Sequence, residues 1–162
     1  MIRGLQDDDR YAVLALWHQG WHDAHAALVP AGVLTCRTPD CFEIWFDQST
    51  DVFYVAVENA TVLGFVSIKD DEVVKLYCCR KVRGSGLAGQ LLAHAESQIA
   101  VRGFTKAYLF CTAGNHRAER FYENHGWILS GSSLETLWLP PDETLTATVL
   151  THRFERDVAT SL

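Results

Sequence analysis

Apolar residues recur along this chain with two periods, and the changes between them mark out the elements. Ile2 to Leu5 reads as a short first strand. Asp7-Asp8-Asp9 offers an N-cap and negative charge for a helix start. Tyr11 to Trp21 follows, with Leu14, Leu16, Trp17 and Trp21 at helical spacing. Residues 22–37 keep no period and read as irregular. Thr38 as cap and Pro39 in the first turn open a second helix, through about Gln48. Val52 to Val57 is a dense β-branched and aromatic run, Glu58 to Thr61 a turn, and Val62 to Ile68 the returning strand. Asp70-Asp71 turns the chain again into a strand from Val73 to Cys79, which completes an antiparallel meander.

A long helix is predicted over Gly86 to Arg102, with Ala88, Leu91, Leu92, Ala95 and Ile99 on one face and Gly103 as its left-handed stop. Thr105 to Cys111 is the next strand. It follows a strand–helix unit, so it is expected parallel to the strand ending at Cys79. Asn115 caps a helix to about His125, with Ala118, Phe121, Tyr122 and His125 on one stripe, and Gly126 stops it. Trp127 to Leu137 and Thr144 to Phe154, joined across Pro140-Pro141, form a final antiparallel pair. The order predicts an α/β domain: one mixed, mostly antiparallel sheet flanked by helices.

Composition narrows this picture. At 162 residues the expectation is one domain over residues 1–162. The net charge of −6 argues against nucleic acid as a partner and mildly for a cationic substrate. The N-terminus, MIRGLQDDDR, has no apolar signal-peptide region, and no run approaches the roughly 20 apolar residues of a membrane span. Cys36, Cys41, Cys78, Cys79 and Cys111 have no metal-ligand spacing and read as reduced thiols, which implies a cytoplasmic protein. In that compartment the sequon Asn59-Ala60-Thr61 stays unmodified.

The densest chemical signal is Arg83-Gly84-Ser85-Gly86-Leu87-Ala88-Gly89, between an apolar strand and the long helix. A glycine-rich turn at a helix N-terminus lets backbone N–H groups converge on a phosphate, which points to a nucleotide-bearing cofactor. A P-loop is excluded, because no Lys-Ser or Lys-Thr follows. Gly84-x-Gly86-x-x-Gly89 fits the dinucleotide fingerprint literally. The three antiparallel strands before it and the single parallel crossover after it do not fit a doubly wound domain.

Leu76-Tyr77-Cys78, Arg83-x-x-Gly86-x-Ala88, Leu91-Leu92, Asn115, Phe121-Tyr122-Glu123 and Gly126-Trp127 fall in one order. This set resembles the GNAT superfamily of acetyl-CoA-dependent N-acetyltransferases, strongly over residues 62–131 and by element order elsewhere. The resemblance implies the GNAT acyl-CoA N-acyltransferase fold. It implies acetyl-CoA as co-substrate, with its pyrophosphate on the backbone of Gly84, Ser85, Gly86, Leu87, Ala88 and Gly89 and with Arg83 adding charge. Pantetheine would lie in a wedge between the strands ending at Cys78 and Cys111, borrowing hydrogen bonds from Leu76, Tyr77 and Cys78. The Cys78 N–H would face the thioester carbonyl as an oxyanion donor, Asn115 would contact the pantetheine arm, and Tyr122 would be the general acid near sulfur. Arg80 departs from the strand-stopping proline of many members.

The implied reaction is direct attack by a neutral primary amine in a ternary complex. Deprotonating a lysine-like amine at neutral pH costs roughly 4–5 kcal/mol, so a base or a water chain to one is expected. Some relatives carry a glutamate where this chain has Phe110, and others where it has Val73 and Val74. Glu72, acting through water, is the base candidate carried forward, with His22 and Tyr77 as alternatives. Trp17, Trp21, His22 and Trp45 are the candidate acceptor-pocket residues, with Trp17 and Trp21 reading as core or pocket wall, and Trp138 closes the other side or anchors a partner subunit. His18, His22 and His25 are spaced like one helix face, but nothing is spaced to complete a metal site and Gly20 weakens the helix, so no metal is expected. The acceptor is a small amine or a protein N-terminus or lysine. The resemblance allows a homodimer, and a CoA-binding module without turnover is the other reading.

Overall fold

Seven strands form one mixed sheet in the computed structural model, which describes residues 1–159. In chain order the elements are β1 (Ile2–Gly4), a 3-10 turn (Asp7–Asp9), α1 (Arg10–His25), α2 (Ala31–Leu34) and α3 (Pro39–Gln48). Then come β2 (Val52–Glu58), β3 (Thr61–Lys69), β4 (Glu72–Cys78), a second 3-10 turn (Arg80–Val82) and α4 (Leu87–Val101). β5 (Lys106–Thr112), α5 (His116–Asn124), β6 (Ile128–Thr136) and β7 (Thr148–Asp157) complete the chain. The sheet order is β1-β2-β3-β4-β5-β7-β6. β4 and β5 are parallel, as the crossover through α4 requires, and every other pair is antiparallel. The strand-helix order, the meander and the mixed sheet agree with the sequence reading.

Each face of the sheet carries its own core. On one side α4 buries Leu91, Leu92, Ala95 and Ile99 against Val66, Ile68 and Leu109. On the other, α1 and α3 pack Val13, Trp17 and Phe42 over Phe53, Val55 and Phe65. β3 is buried on both faces from Gly64 to Ile68, which is why it reads as one apolar run rather than an alternation.

Several boundaries differ from the sequence reading. α1 runs through His25, and α2 occupies part of the stretch expected to be irregular. Gly20 does not break α1. A Cβ there would collide with the Tyr77 ring, so glycine is what lets the helix lie against β4. Asp9 does not cap α1 with its side chain. It accepts Arg3 Nη1 at 2.7 Å and the Gln6 N–H at 2.8 Å, tying the first strand to the turn. Residues 137–147 form a longer loop than the Pro140-Pro141 turn implied, closed by the Leu137 N–H on the Ala147 carbonyl at 2.8 Å, and β7 continues to Asp157.

That loop is fastened by a buried arginine. Arg37 is 1% exposed, donates Nη2 to the Trp138 carbonyl at 2.7 Å, and lies 4.8 Å from the rings of both Trp21 and Trp45. Trp45 in turn stacks on Trp138 at 4.8 Å. Beneath them Lys75 Nζ meets Asp51 Oδ2 at 2.6 Å, both side chains 7% exposed, and joins the start of β2 to β4.

Gly20→Ala tests the helix–strand contact. Losing a helical glycine gains about 1 kcal/mol of propensity, whereas overpacking costs about 1–3 kcal/mol. The Tyr77 ring is backed by Phe65 at 5.8 Å, so the clash dominates and a net loss in urea unfolding is expected. A midpoint equal to wild type would show that the ring gives way freely.

Candidate active site

β4 and β5 pair through only two residue couples, Glu72↔Tyr108 and Val73↔Leu109. Beyond them a bulge in β4 opposite Ser67/Ile68 turns the strand away, and the two strands part. Pairing of β4 with β3 continues to Cys78, and the Cys79 N–H donates to the Leu63 carbonyl at 2.8 Å. Antiparallel hydrogen bonding alternates, so the N–H groups of Leu76 and Cys78 point away from β3, into the gap that β5 has left.

A cavity of about 610 Å3 fills that gap. It collects Leu76, Tyr77, Cys78, Arg83, Gly84, Gly86, Leu87, Ala88, Gly89, Asn115 and Tyr122, all of them cofactor-site residues of the sequence reading. Ser85 alone of that group does not line it. Its hydroxyl donates to the Val82 carbonyl and accepts the Leu87 N–H, bracing the turn from within. Gly84 (φ 80°) and Gly86 (φ 89°) are both left-handed, a backbone that other residues adopt only under strain. The first main-chain bond across the start of α4 is Gln90 N–H to Gly86 C=O at 3.1 Å. Among the described residues the N–H groups of Ala88 and Gly89 have no acceptor, so the helix presents free donors and its positive dipole end to the cavity. Gly89 also admits α5, because a Cβ would stand 2.7 Å from His125 Nε2.

Asn115 Oδ1 accepts the Ala118 N–H at 3.3 Å, which starts α5 and sends Tyr122 into the cavity two turns on. Burial raises the Tyr122 hydroxyl well above its ordinary pKa, with Cys111 and Tyr77 adding to the effect, so it holds its proton. Burial also pushes the Cys78 thiol up to about 11 and Cys111 to about 12, so both stay protonated at neutral pH.

Five charged or titratable residues on this cavity were not singled out for it by the sequence reading: Asp23, His25, Lys75, Arg117 and His125. Arg117 carried a signal, being a cation in the first turn of α5, where the helix dipole disfavours it. Asp23 and His25 carried none, since only the docking of the last turn of α1 against the glycine turn brings them in. Asp23 is drawn down to about 2 by its hydrogen bond to Arg80, assisted by Arg83. His25 Nε2 lies 3.5 Å from the Tyr77 hydroxyl.

A second cavity of about 400 Å3 lies toward the start of β4, lined by Trp45, Gln48, Asp51, Glu72, Trp138 and their neighbours. Val74 and Lys75 line both cavities, at the bulge. Glu72 therefore faces the second cavity and is absent from the wall of the first. Burial, then the Asp51 charge, raises its carboxyl pKa. Of the acceptor candidates, Trp45 lines this cavity. Trp17 and Trp21 are core residues, 1% and 4% exposed, and line neither cavity. His22 lines neither as well and donates Nδ1–H to the His18 carbonyl at 2.7 Å. Among the described residues no group of three or more His, Cys, Asp or Glu is placed to hold a metal ion, and no helix is long and apolar enough to cross a membrane.

Comparison with known proteins agrees with this geometry. The sequence model of the Acetyltransferase (GNAT) family matches residues 15–127, and the chain belongs to that family. It is 31% identical over 100 residues to a mycothiol acetyltransferase of Brachybacterium faecium, a match covering 56% of this chain and 30% of that protein. The fold matches an N-acetyltransferase from Staphylococcus aureus with a TM-score of 0.71, at 20% identity and 98% coverage of both chains. It also matches PaiA N-acetyltransferase from Thermoplasma acidophilum in complex with coenzyme A, with a TM-score of 0.66, 16% identity and 97% and 98% coverage.

The half-buried His25 imidazole sets a pH dependence. Burial first, then the Arg37 charge, lowers His25 to about 4. An unfolded histidine titrates near 6.5, so in between the unfolded chain binds a proton that the folded chain refuses. Stability is therefore fully present above about pH 6.5 and falls as the pH drops toward about 4, by roughly 3 kcal/mol at full linkage. His25→Gln should flatten that part of the curve of unfolding free energy against pH; an unaltered slope would remove His25 as its cause.

Proposed function

We propose that this chain transfers the acetyl group of acetyl-CoA to a primary amine by direct attack within a ternary complex. The observation that carries the reading is convergence on one gap: the outward N–H groups of Leu76 and Cys78, the open N-terminus of α4, and the protonated Tyr122 all line it. The free donors of Ala88 and Gly89, with Arg83 and Arg117 on the same wall, suit a diphosphate. The space between the strands suits the extended pantetheine arm.

In this reading the Cys78 N–H donates to the carbonyl oxygen as negative charge develops there. Tyr122 donates its proton toward the departing thiolate. The protonated state of Cys78 and Cys111 weighs against a covalent acetyl-enzyme. The acceptor enters from the second cavity, past Trp45 and Trp138, and reaches the gap at Val74 and Lys75. Glu72, on that approach, takes the amine proton through water; its raised pKa makes it a better base than an ordinary glutamate.

One observation favours the alternative, a CoA-binding module without turnover. The carboxylate on the first cavity wall, Asp23, is already bound to two arginines, and Phe110 stands where some relatives carry an acid. Thiol release from acetyl-CoA across a panel of amines, peptides included, separates the two. Acetyl transfer should lower with Tyr122→Phe by about 10- to 100-fold in kcat while CoA affinity holds. Glu72→Gln should lower the rate most in the pH range where Glu72 is ionised but the acceptor amine is still largely protonated. CoA binding with no amine-stimulated release would establish the module instead.

A further inference from the structure

The turn before the glycines is held from outside by one carboxylate. Asp23, in the last turn of α1, accepts Arg80 Nε at 2.9 Å and Arg80 Nη2 at 2.6 Å, a bidentate pair. The same carboxylate accepts Arg83 Nη2 at 2.8 Å. These two arginines bracket the 3-10 turn Arg80–Val82, after which the chain enters Gly84 and Gly86. β4 ends at Cys78, and no proline stops it. The strand end, the turn and the entry to α4 are thus fixed against α1 by three charge-assisted hydrogen bonds on a single side chain. By formal charge, two guanidinium groups and one carboxylate leave one net positive charge at the cavity mouth. Arg117 adds another from α5. A chain of net charge −6 so presents a locally cationic rim beside the free N–H groups of α4.

Resting on the acetyl-CoA reading of that cavity, we propose that Asp23 is a positioning residue for recognition of the donor's diphosphate: it holds Arg80 and Arg83 so that the Gly84–Gly89 backbone stands preformed as an anion cradle. Asp23 touches no reacting atom and is not a catalytic residue. Its effect is confined to donors that carry the diphosphate, because the pantetheine arm is held farther in, by β4. The carboxylate is itself negative, so if charge alone governed binding its removal would tighten the complex; if placement governs, its removal loosens it. The geometry favours placement, since without Asp23 two long exposed side chains and a glycine-rich turn regain their freedom.

Calorimetric titration of the purified chain with CoA and with pantetheine tests this without any acceptor. Asp23→Asn is expected to weaken CoA binding by about tenfold and leave pantetheine binding within about twofold, with Asp23→Glu restoring part of the loss. Arg80→Gln, which removes the bidentate partner from the exposed side, should weaken CoA in the same direction. Equal or tighter CoA binding by Asp23→Asn overturns the proposal, and so does a parallel loss for CoA and pantetheine, which marks a general disturbance of the site. Wild-type chain that binds no CoA overturns both this proposal and the acetyl-transfer reading. CoA binding that depends on Asp23, in a chain that acetylates no amine, upholds the clamp and overturns the transfer.

Discussion

The parallel ladder between β4 and β5 stops after two residue pairs, and the site depends on that stop. A longer ladder would spend the N–H groups of Leu76 and Cys78 on β5 and close the cavity. The bulge in β4 is what prevents it. With an extra residue in the strand, Lys75 and Tyr77 turn toward α1 while Leu76 and Cys78 pack toward α4. One irregularity in one strand thus leaves donors unpaired, opens a wedge, and exchanges the faces of the residues around it.

Unpaired donors at a strand end and at a helix start would be costly in a dry interior. Here they line a cavity that water or a ligand fills, so the same groups that a closed sheet would have to satisfy become recognition elements. The fold compensates close by. The Lys75–Asp51 pair anchors the far side of β4, and the Asp23 carboxylate anchors its end. The buried pair adds little net stability by itself, since desolvation offsets its attraction. Its effect is to fix which way Lys75 faces, and with it the register of the strand beside the gap.

Local chemistry was the legible part of the sequence. Glycines at 84 and 86 before an apolar helix, Asn115 as a cap, and Tyr122 two turns beyond it are signals written within a few residues, and all of them line one cavity. Tertiary contacts were not legible. Gly20 reads as a weak point in the helix until the Tyr77 ring is placed against it. Trp17 and Trp21 read equally as pocket wall or core, because an indole at helical spacing serves either, and only α3 packing over α1 decides for the core. Arg37, an isolated basic residue in an aperiodic stretch, gave no sign of a buried guanidinium among three indole rings. β7 starts at Thr148 rather than Thr144, because Thr144 to Thr146, although good strand formers, find no partner strand in the loop after Pro140-Pro141.

The two cavities meet at Val74 and Lys75, and that junction bears on how donor and acceptor are kept apart. Lys75 is itself a primary amine on the wall of both. Its Nζ is held 2.6 Å from Asp51 and lies 4.9 Å from the Trp17 ring, on the α1 side of the sheet. Burial lowers its pKa, and the Asp51 charge and hydrogen bond oppose that shift. The ion pair therefore has a consequence beyond anchoring β4: it holds an internal amine turned away from the gap where an acyl donor is proposed to lie. On the proposed reading, a site that acetylates amines must deny its own lysine the geometry that it grants the acceptor, and the Asp51 carboxylate supplies that denial.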